Sequence, residues 1–454
     1  MSDLETLMWR LGESDPKLRA TVGVVATFDR PPDPEILSSR LEAVTRRLPR
    51  LRDRVDAPVL PTAPPRWQPD PDFVLEHHVT HATTPAGGIG GLLRLAEEAV
   101  AAPFPPERPP WTMTFVDGLD GGRSGLVASL HHSYTDGMGA LYLAGELFDL
   151  QRGPAAARPG VQPSPDPAPP SPLDRAWEDL AFEASRVADA VRRAISWGAG
   201  VLCDAAADPH RQVASALDLA RSLGAVAARV AGPGSPLMAG RSAGMRLATL
   251  ELPLDAFRAA GRRYGGTVND VFVAAVLGGL GRYHDESGSA RPSVRVGIPV
   301  NARPEGASGR LGNNWRGLVV RAPLSLPDPA ERVRLVHDIV REARAQPATA
   351  FGGLAAEAAA RLPGVAPLAA RVLESIEVFA SNVAGSTVPL YLAGALVETL
   401  VPIGPRGGSG LNVTMLSHDG AVHVGINMDP VATPDTDLLV DCLRAGFDEV
   451  LAAG

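Results

Sequence analysis

Apolar positions follow two rhythms along this chain, and the switch from one to the other marks its elements. Short β-branched runs with a period of two read as strands. In the first part of the chain these are Thr21–Phe28, Phe73–Val79, Trp111–Val116 and Ser124–Leu130. Met245–Leu252, Val294–Val300, Gly317–Arg321, Glu377–Asn382, Leu411–Leu416 and Ala421–Ile426 repeat the pattern later. Between them, apolar residues three and four apart read as helices. Leu37, Leu41, Val44 and Leu48 define one over Asp33–Arg50. Others are expected over Gly87–Val100, after Met138, and over Leu254–Tyr264, Thr267–Tyr283, Pro329–Ala345 and Asp435–Ala452. Thr267 stands where an N-cap belongs, with Asp270 near the position of its capping-box partner. Pro58–Pro71 reads as irregular, with Trp67 its one large apolar anchor.

Strands and helices alternate in a similar order on both sides of residues 151–172, a stretch so rich in Pro, Ala and Gly that it reads as a linker. The expectation is an α/β protein with two comparably sized domains, residues 1–150 and 241–454, joined through the linker and a helical connection over 173–240. Within that connection Trp177, Leu180, Phe182, Val187, Val191, Ile195 and Trp197 recur with a helical pattern. Core or interface packing is the plain expectation for them, and a lipid-facing helix the alternative.

Composition narrows the class. The chain has 454 residues, 45% apolar and 21% charged, as a globular protein should. A net charge of -8 offers no basic surface, so nucleic acid is not expected as a partner. Cys203 and Cys442 are the two cysteines, far apart and without metal spacing, which fits a reducing compartment. The N-terminus lacks a basic region followed by an apolar core, and no uncharged apolar run reaches the ~18 residues of a membrane span. A cytoplasmic protein is expected, any membrane contact being peripheral and at the inner face.

Candidate chemistry centres on His131-His132-Ser133-Tyr134-Thr135-Asp136-Gly137, between the Ser124–Leu130 strand and the helix after Met138. Adjacent strand side chains point to opposite faces, so His131 and His132 cannot share one role. Three roles are open. Both rings could be satisfied core residues. They could join Asp136 in a metal site, but divergent rings and the lack of a third nearby histidine argue against it. One could be a general base, taking the proton from a hydroxyl as it attacks a thioester. No convincing Ser or Cys nucleophile accompanies it. Gly240-Arg241-Ser242-Ala243-Gly244 fits Gly-x-Ser-x-Gly, but it leads into a strand and reads as a flexible connection.

The heptad resembles the HHxxxDG signature of the CoA-dependent acyltransferase superfamily. Other stretches, in order, resemble the bacterial wax ester synthase/diacylglycerol acyltransferase (WS/DGAT) family. These are Arg108-Pro109-Pro110-Trp111, Thr267-Val268-Asn269-Asp270, Pro299-Val300-Asn301-Ala302-Arg303, Gly312-Asn313-Asn314-Trp315 and Ser381-Asn382-Val383-Ala384-Gly385-Ser386. The resemblance implies two chloramphenicol-acetyltransferase-like domains, each a mixed sheet with helices, with the active site in a tunnel at their interface. It implies His132 as general base and His131 as support. Asp136 would orient the loop through a charge pair with Arg303, and backbone at Gly137 would approach the oxyanion. Asn269, Asp270, Ser381 and Asn382 would serve substrate binding. It further implies acyl-CoA as co-substrate, no other cofactor and no metal, and a hydroxyl acceptor such as diacylglycerol or a long-chain alcohol. Peripheral membrane or lipid-droplet contact is compatible with it.

The chain departs from the family pattern in places. Ala384 and Ser386 replace prolines, Trp315 stands where Phe is usual, and Phe104-Pro105-Pro106-Glu107 replaces a Pro-Leu-Asp. These leave two alternatives: acylation of a specialised-metabolite hydroxyl or amine, and a non-catalytic condensation-like binding protein. The intact heptad weighs against the second, since a binder needs no base.

Overall fold

A computed structural model describes residues 1–83, 87–153, 171–207, 232, 234–301, 315–345 and 366–452. Residues 154–170 of the expected linker, residues 208–231 and 233 of the helical connection, and Arg303, Asn313 and Asn314 lie outside these.

The first part runs α1 (Asp3–Ser14), β1 (Thr21–Phe28), α2 (Pro34–Arg47), β2 (Asp53–Asp56), β3 (Arg66–Pro69), β4 (Val79–Thr83), α3 (Ile89–Ala101), β5 (Trp111–Leu119), β6 (Arg123–His131) and α4 (Gly137–Leu147). The long helix α5 (Pro172–Ala207) follows. The second part runs β7 (Arg246–Pro253), α6 (Leu254–Tyr264), α7 (Val268–Glu286), β8 (Ser293–Asn301), β9 (Trp315–Pro323), α8 (Pro329–Ala345) and α9 (Ala366–Ser375). It ends with β10 (Val378–Val383), β11 (Tyr391–Leu392), β12 (Ala395–Ile403), β13 (Leu411–His418), β14 (Ala421–Met428) and α10 (Thr436–Ala452).

Two six-stranded mixed sheets result, in the orders β11-β12-β1-β6-β5-β4 and β7-β14-β13-β10-β8-β9. β11 and β12 come from the second half of the chain yet complete the first sheet. Strand β1 is covered on both faces, which is why it is apolar at nearly every position. Ala26 and Phe28 pack beneath α2 and α4, while Val25 packs with Leu92 and Ala96 of α3. The second sheet buries its face against α6, α7 and α10, around Phe257, Phe272 and Phe447.

The sheets are pinned together along β12. The backbone of Gly425 in β14 lies so close to Pro402 that a β-carbon there would sit 1.7 Å from the Pro402 carbonyl, so glycine is required. Asn427 donates to the Gly404 carbonyl at 2.9 Å, and His418 Nε2 lies 3.1 Å from the Val397 carbonyl.

Two sequence expectations need correction. The Phe73–Val79 run is not a strand. His78 turns inward, stacks between Phe73 and Trp111, and places Nδ1 2.9 Å from the Trp111 carbonyl. Pairing therefore begins only at Val79, opposite Met113. Pro58–Pro71 is not wholly irregular, because Arg66–Pro69 pairs with Asp53–Asp56 as a short hairpin.

Candidate active site

Strand β6 ends at His131, opposite Thr21 of β1. The ring is buried; its Nδ1 lies 2.7 Å from Ser133 Oγ and accepts the Ser133 backbone N–H at 3.2 Å. Trp9 of α1 packs against it edge-on. Burial pushes this imidazole down to about 3, and the neighbouring His132 acts in the same direction. His131 is therefore neutral, and its protonation near pH 7 is suppressed.

His132 is half-buried and opens a single 3-10 turn, His132–Tyr134. Its N–H donates to the Ala20 carbonyl at 2.6 Å and its own carbonyl accepts the Thr135 N–H at 3.2 Å, so its backbone is fixed from both sides. Tyr134 is wholly buried and donates its hydroxyl to the Asp53 carbonyl at 2.9 Å, tying the turn to the β2–β3 hairpin.

Asp136 caps α4: its carboxylate accepts the Gly139 N–H at 3.0 Å. Such a cap contributes about 1 kcal/mol to the helix. Arg303, the expected charge partner, lies outside the described residues. Gly137 is the first residue of α4, and a β-carbon there would meet only Val383 of β10, at 3.4 Å, an ordinary contact. Protein packing therefore does not require glycine at 137. The contact does show that the heptad of the first sheet meets the Ser381-Asn382-Val383 strand end of the second.

In that strand Ser381 is half-buried and Asn382 exposed, opposite Thr414 and Met415 of β13. The chain then turns at Gly385, where a β-carbon would fall 1.9 Å from the Ser417 carbonyl. Asp270 forms a reciprocal capping box with Thr267 at the start of α7, while Asn269 beside it is half-buried. Sequence reasoning missed His337 of α8, whose Nδ1 lies 2.9 Å from Asp270 Oδ2.

Beside the His132 turn, a small apolar cavity of ≈ 30 Å³ opens between α2, α4 and the first sheet. Leu41, Val44, Trp111, Met113, Leu130 and Leu143 line it, with Thr135 of the heptad at its edge. Ion pairs join α2 to the end of α4. Arg40 reaches both carboxylate oxygens of Asp149 at 2.8 Å and the Leu147 carbonyl at 3.1 Å, and Arg47 meets Glu146 at 2.8 Å.

Ser242 is no nucleophile. Its hydroxyl and its N–H both donate to Asp429 at 2.6 Å, and Arg406 donates to the Ser242 and Gly244 carbonyls. Burial pushes the Asp429 carboxyl up, but these donors hold it below its ordinary value. The Gly240–Gly244 segment is thus pinned, contrary to the flexible connection expected of it.

Two mixed sheets meeting at a His-His-x-x-x-Asp-Gly turn define a two-lobed acyltransferase-type fold. Solved structures share it. The wax ester synthase/diacylglycerol acyltransferase from Marinobacter aquaeolei VT8 superposes with a TM-score of 0.66 at 21% identity, covering 99% of this chain and 98% of that one. The first condensation domain of the calcium-dependent antibiotic synthetase gives 0.62 at 18% identity, covering 99% and 95%.

The WS/DGAT catalytic domain profile matches residues 1–272 and the WS/DGAT C-terminal domain profile residues 311–450. A Mycobacterium tuberculosis H37Rv protein named as a diacylglycerol O-acyltransferase is 34% identical over all of this chain and 91% of its own length. A second such protein from that strain is 31% identical over 86% of this chain and 83% of its own length. The chain belongs to the wax ester synthase/diacylglycerol acyltransferase family and is an acyltransferase.

Proposed function

We propose that this protein transfers a fatty acyl group from acyl-CoA to the hydroxyl of diacylglycerol or a long-chain alcohol, giving triacylglycerol or wax ester, with His132 as general base. The observation that carries the assignment is the split between the two imidazoles. His131 is sealed against Ser133 and Trp9 and held neutral, whereas His132 is half-buried with a fixed backbone where the two sheets meet.

His132 accepts the proton of the acceptor hydroxyl as that oxygen attacks the thioester carbon. The carbonyl electrons move to oxygen, and the backbone at Gly137, first in α4, supports that oxyanion through the positive end of the helix. Collapse breaks the C–S bond, and the leaving thiolate takes the proton from the imidazolium, so CoA departs as the thiol. No acyl-enzyme forms. Asn269, Asp270, Ser381 and Asn382 are proposed to border the acceptor from the second sheet.

The test is thiol release from long-chain acyl-CoA with a panel of acceptors. Release with diacylglycerol or hexadecanol supports the proposal. Release only with a small polar hydroxyl or amine would overturn the lipid acceptor while keeping the mechanism.

A further inference from the structure

The turn that carries His132 is too short to hold itself. Its internal backbone bond is the one from the Thr135 N–H to the His132 carbonyl. Ordering several residues for one such bond is unfavourable in water, so the turn needs support from side chains. Ser133 turns back on His131, but Tyr134 reaches out. Its ring is 1% exposed, in a cluster with Val44, Leu48 and Leu51. A leucine or phenylalanine would fill that cluster equally well. What the hydroxyl adds is a direction.

That hydroxyl ends on the β2–β3 hairpin, donating to the Asp53 carbonyl at 2.9 Å. Asp53 stands opposite Pro69, which has no N–H to give. Trp67 of β3 covers the Tyr134 ring, with centroids 4.7 Å apart. The indole is fixed in turn: the Arg50 guanidinium lies over it at 4.6 Å, and its N–H donates to Glu5 at 3.5 Å. The hairpin is anchored as well. Val59 and Leu60 in its loop donate to the buried Asp179 of α5 at 2.7 and 3.0 Å, and Arg66 pairs with that carboxylate. Burial raises the phenol well above its ordinary value, so the hydroxyl stays protonated and donating. A group held neutral and aimed at the hairpin is no acid or base for the reaction.

We propose that Tyr134 is a positioning residue for the general base: its bond to Asp53 and its contact with Trp67 let the hairpin fix the turn, and with it the His132 imidazole, where the acceptor's proton is taken. The inference rests on the reading of His132 as base. It gives a task to the middle one of the three positions that the HHxxxDG signature leaves open. Residue 134 follows 132 by two, about 4 Å along a 3-10 turn, so slack at the tether passes to His132. Geometry makes that slack expensive. A base must stand within hydrogen-bond reach of its proton, and a misplacement of about 1 Å can cost about 10²-fold in rate.

The test is single-turnover thiol release from long-chain acyl-CoA, with hexadecanol and with 2,2-difluorohexadecanol, whose more acidic hydroxyl leans less on a base. Tyr134→Phe keeps the ring and removes only the tether. Its first-order rate with hexadecanol should fall about tenfold, while the amplitude, the circular dichroism and the affinity for acyl-CoA stay little changed. With the fluorinated alcohol the loss should shrink to about twofold. Trp67→Leu, at a half-buried site, should slow the rate in the same way, and Trp67→Phe should recover most of it. A fold that merely loosened would lose amplitude and not rate, and equally with both alcohols; that result would overturn the proposal. His132→Ala separates the two readings. A slow His132→Ala beside a Tyr134→Phe of full rate refutes the tether alone, whereas a His132→Ala of full rate refutes the base and the tether together.

Discussion

Trp9 sets its indole edge-on to the ring of His131, with centroids 4.8 Å apart and planes at 62°. The first helix thus touches the neighbour of the proposed base. Trp9→Ala should destabilise the fold by about 1–2 kcal/mol, less than a fully buried aromatic because Trp9 is only half-buried. Steady-state kinetics should show kcat falling severalfold with KM for acyl-CoA little changed, and Trp9→Phe recovering most of it. A change in KM alone would contradict a positioning role.

Gly137 separates structural from catalytic need. A β-carbon there meets only Val383 at an ordinary distance, and alanine favours a helix more than glycine does. Gly137→Ala should therefore melt at or slightly above the unaltered protein's temperature while losing about 10²-fold in kcat/KM, because the methyl group occupies the proposed oxyanion's approach. Full activity in that variant would remove the oxyanion from this position.

The Arg40–Asp149 pair is nearly buried, with side chains 12% and 7% exposed. Arg40→Ala leaves Asp149 charged and without its bidentate partner, and chemical denaturation should report a loss of about 3–5 kcal/mol. Replacing both residues with apolar ones of similar volume should recover most of that loss.

Acid should weaken the fold through its histidines. His131 is held down to about 3 and His423 to about 4 by burial, against an ordinary value of 6.5. As pH falls below about 6.5 the unfolded chain takes protons that the folded one refuses, so stability falls continuously towards pH 4. Unfolding free energies measured between pH 7 and pH 4 should show this slope, and His131→Gln should flatten it. A slope of opposite sign would place charge on His131 in the fold.

Much of this was legible in the chain. The strand running up to His131 was legible because period-two alternation is local, but that parity does not reach His132, which opens a 3-10 turn. Thr267 and Asp270 were legible as a capping box for the same reason. What the sequence did not show was partnership across distance. Ala395–Ile403 was not read as a strand at all, and nothing within it marks that it joins the sheet of Thr21–Phe28. Helix α1 was not read from the sequence, and nothing local points Trp9 at His131. His337 lies 67 residues from Asp270, and only the packing of α8 on α7 brings them together.

The most direct test of the account is single-turnover thiol release from long-chain acyl-CoA with diacylglycerol, comparing His132→Ala with His131→Gln. The account predicts a loss of at least about 10²-fold in the His132→Ala rate with an unchanged melting temperature. It predicts that His131→Gln loses stability first and keeps a measurable rate. Turnover unaffected by His132→Ala, or abolished only by His131→Gln in a protein that still folds, would contradict it.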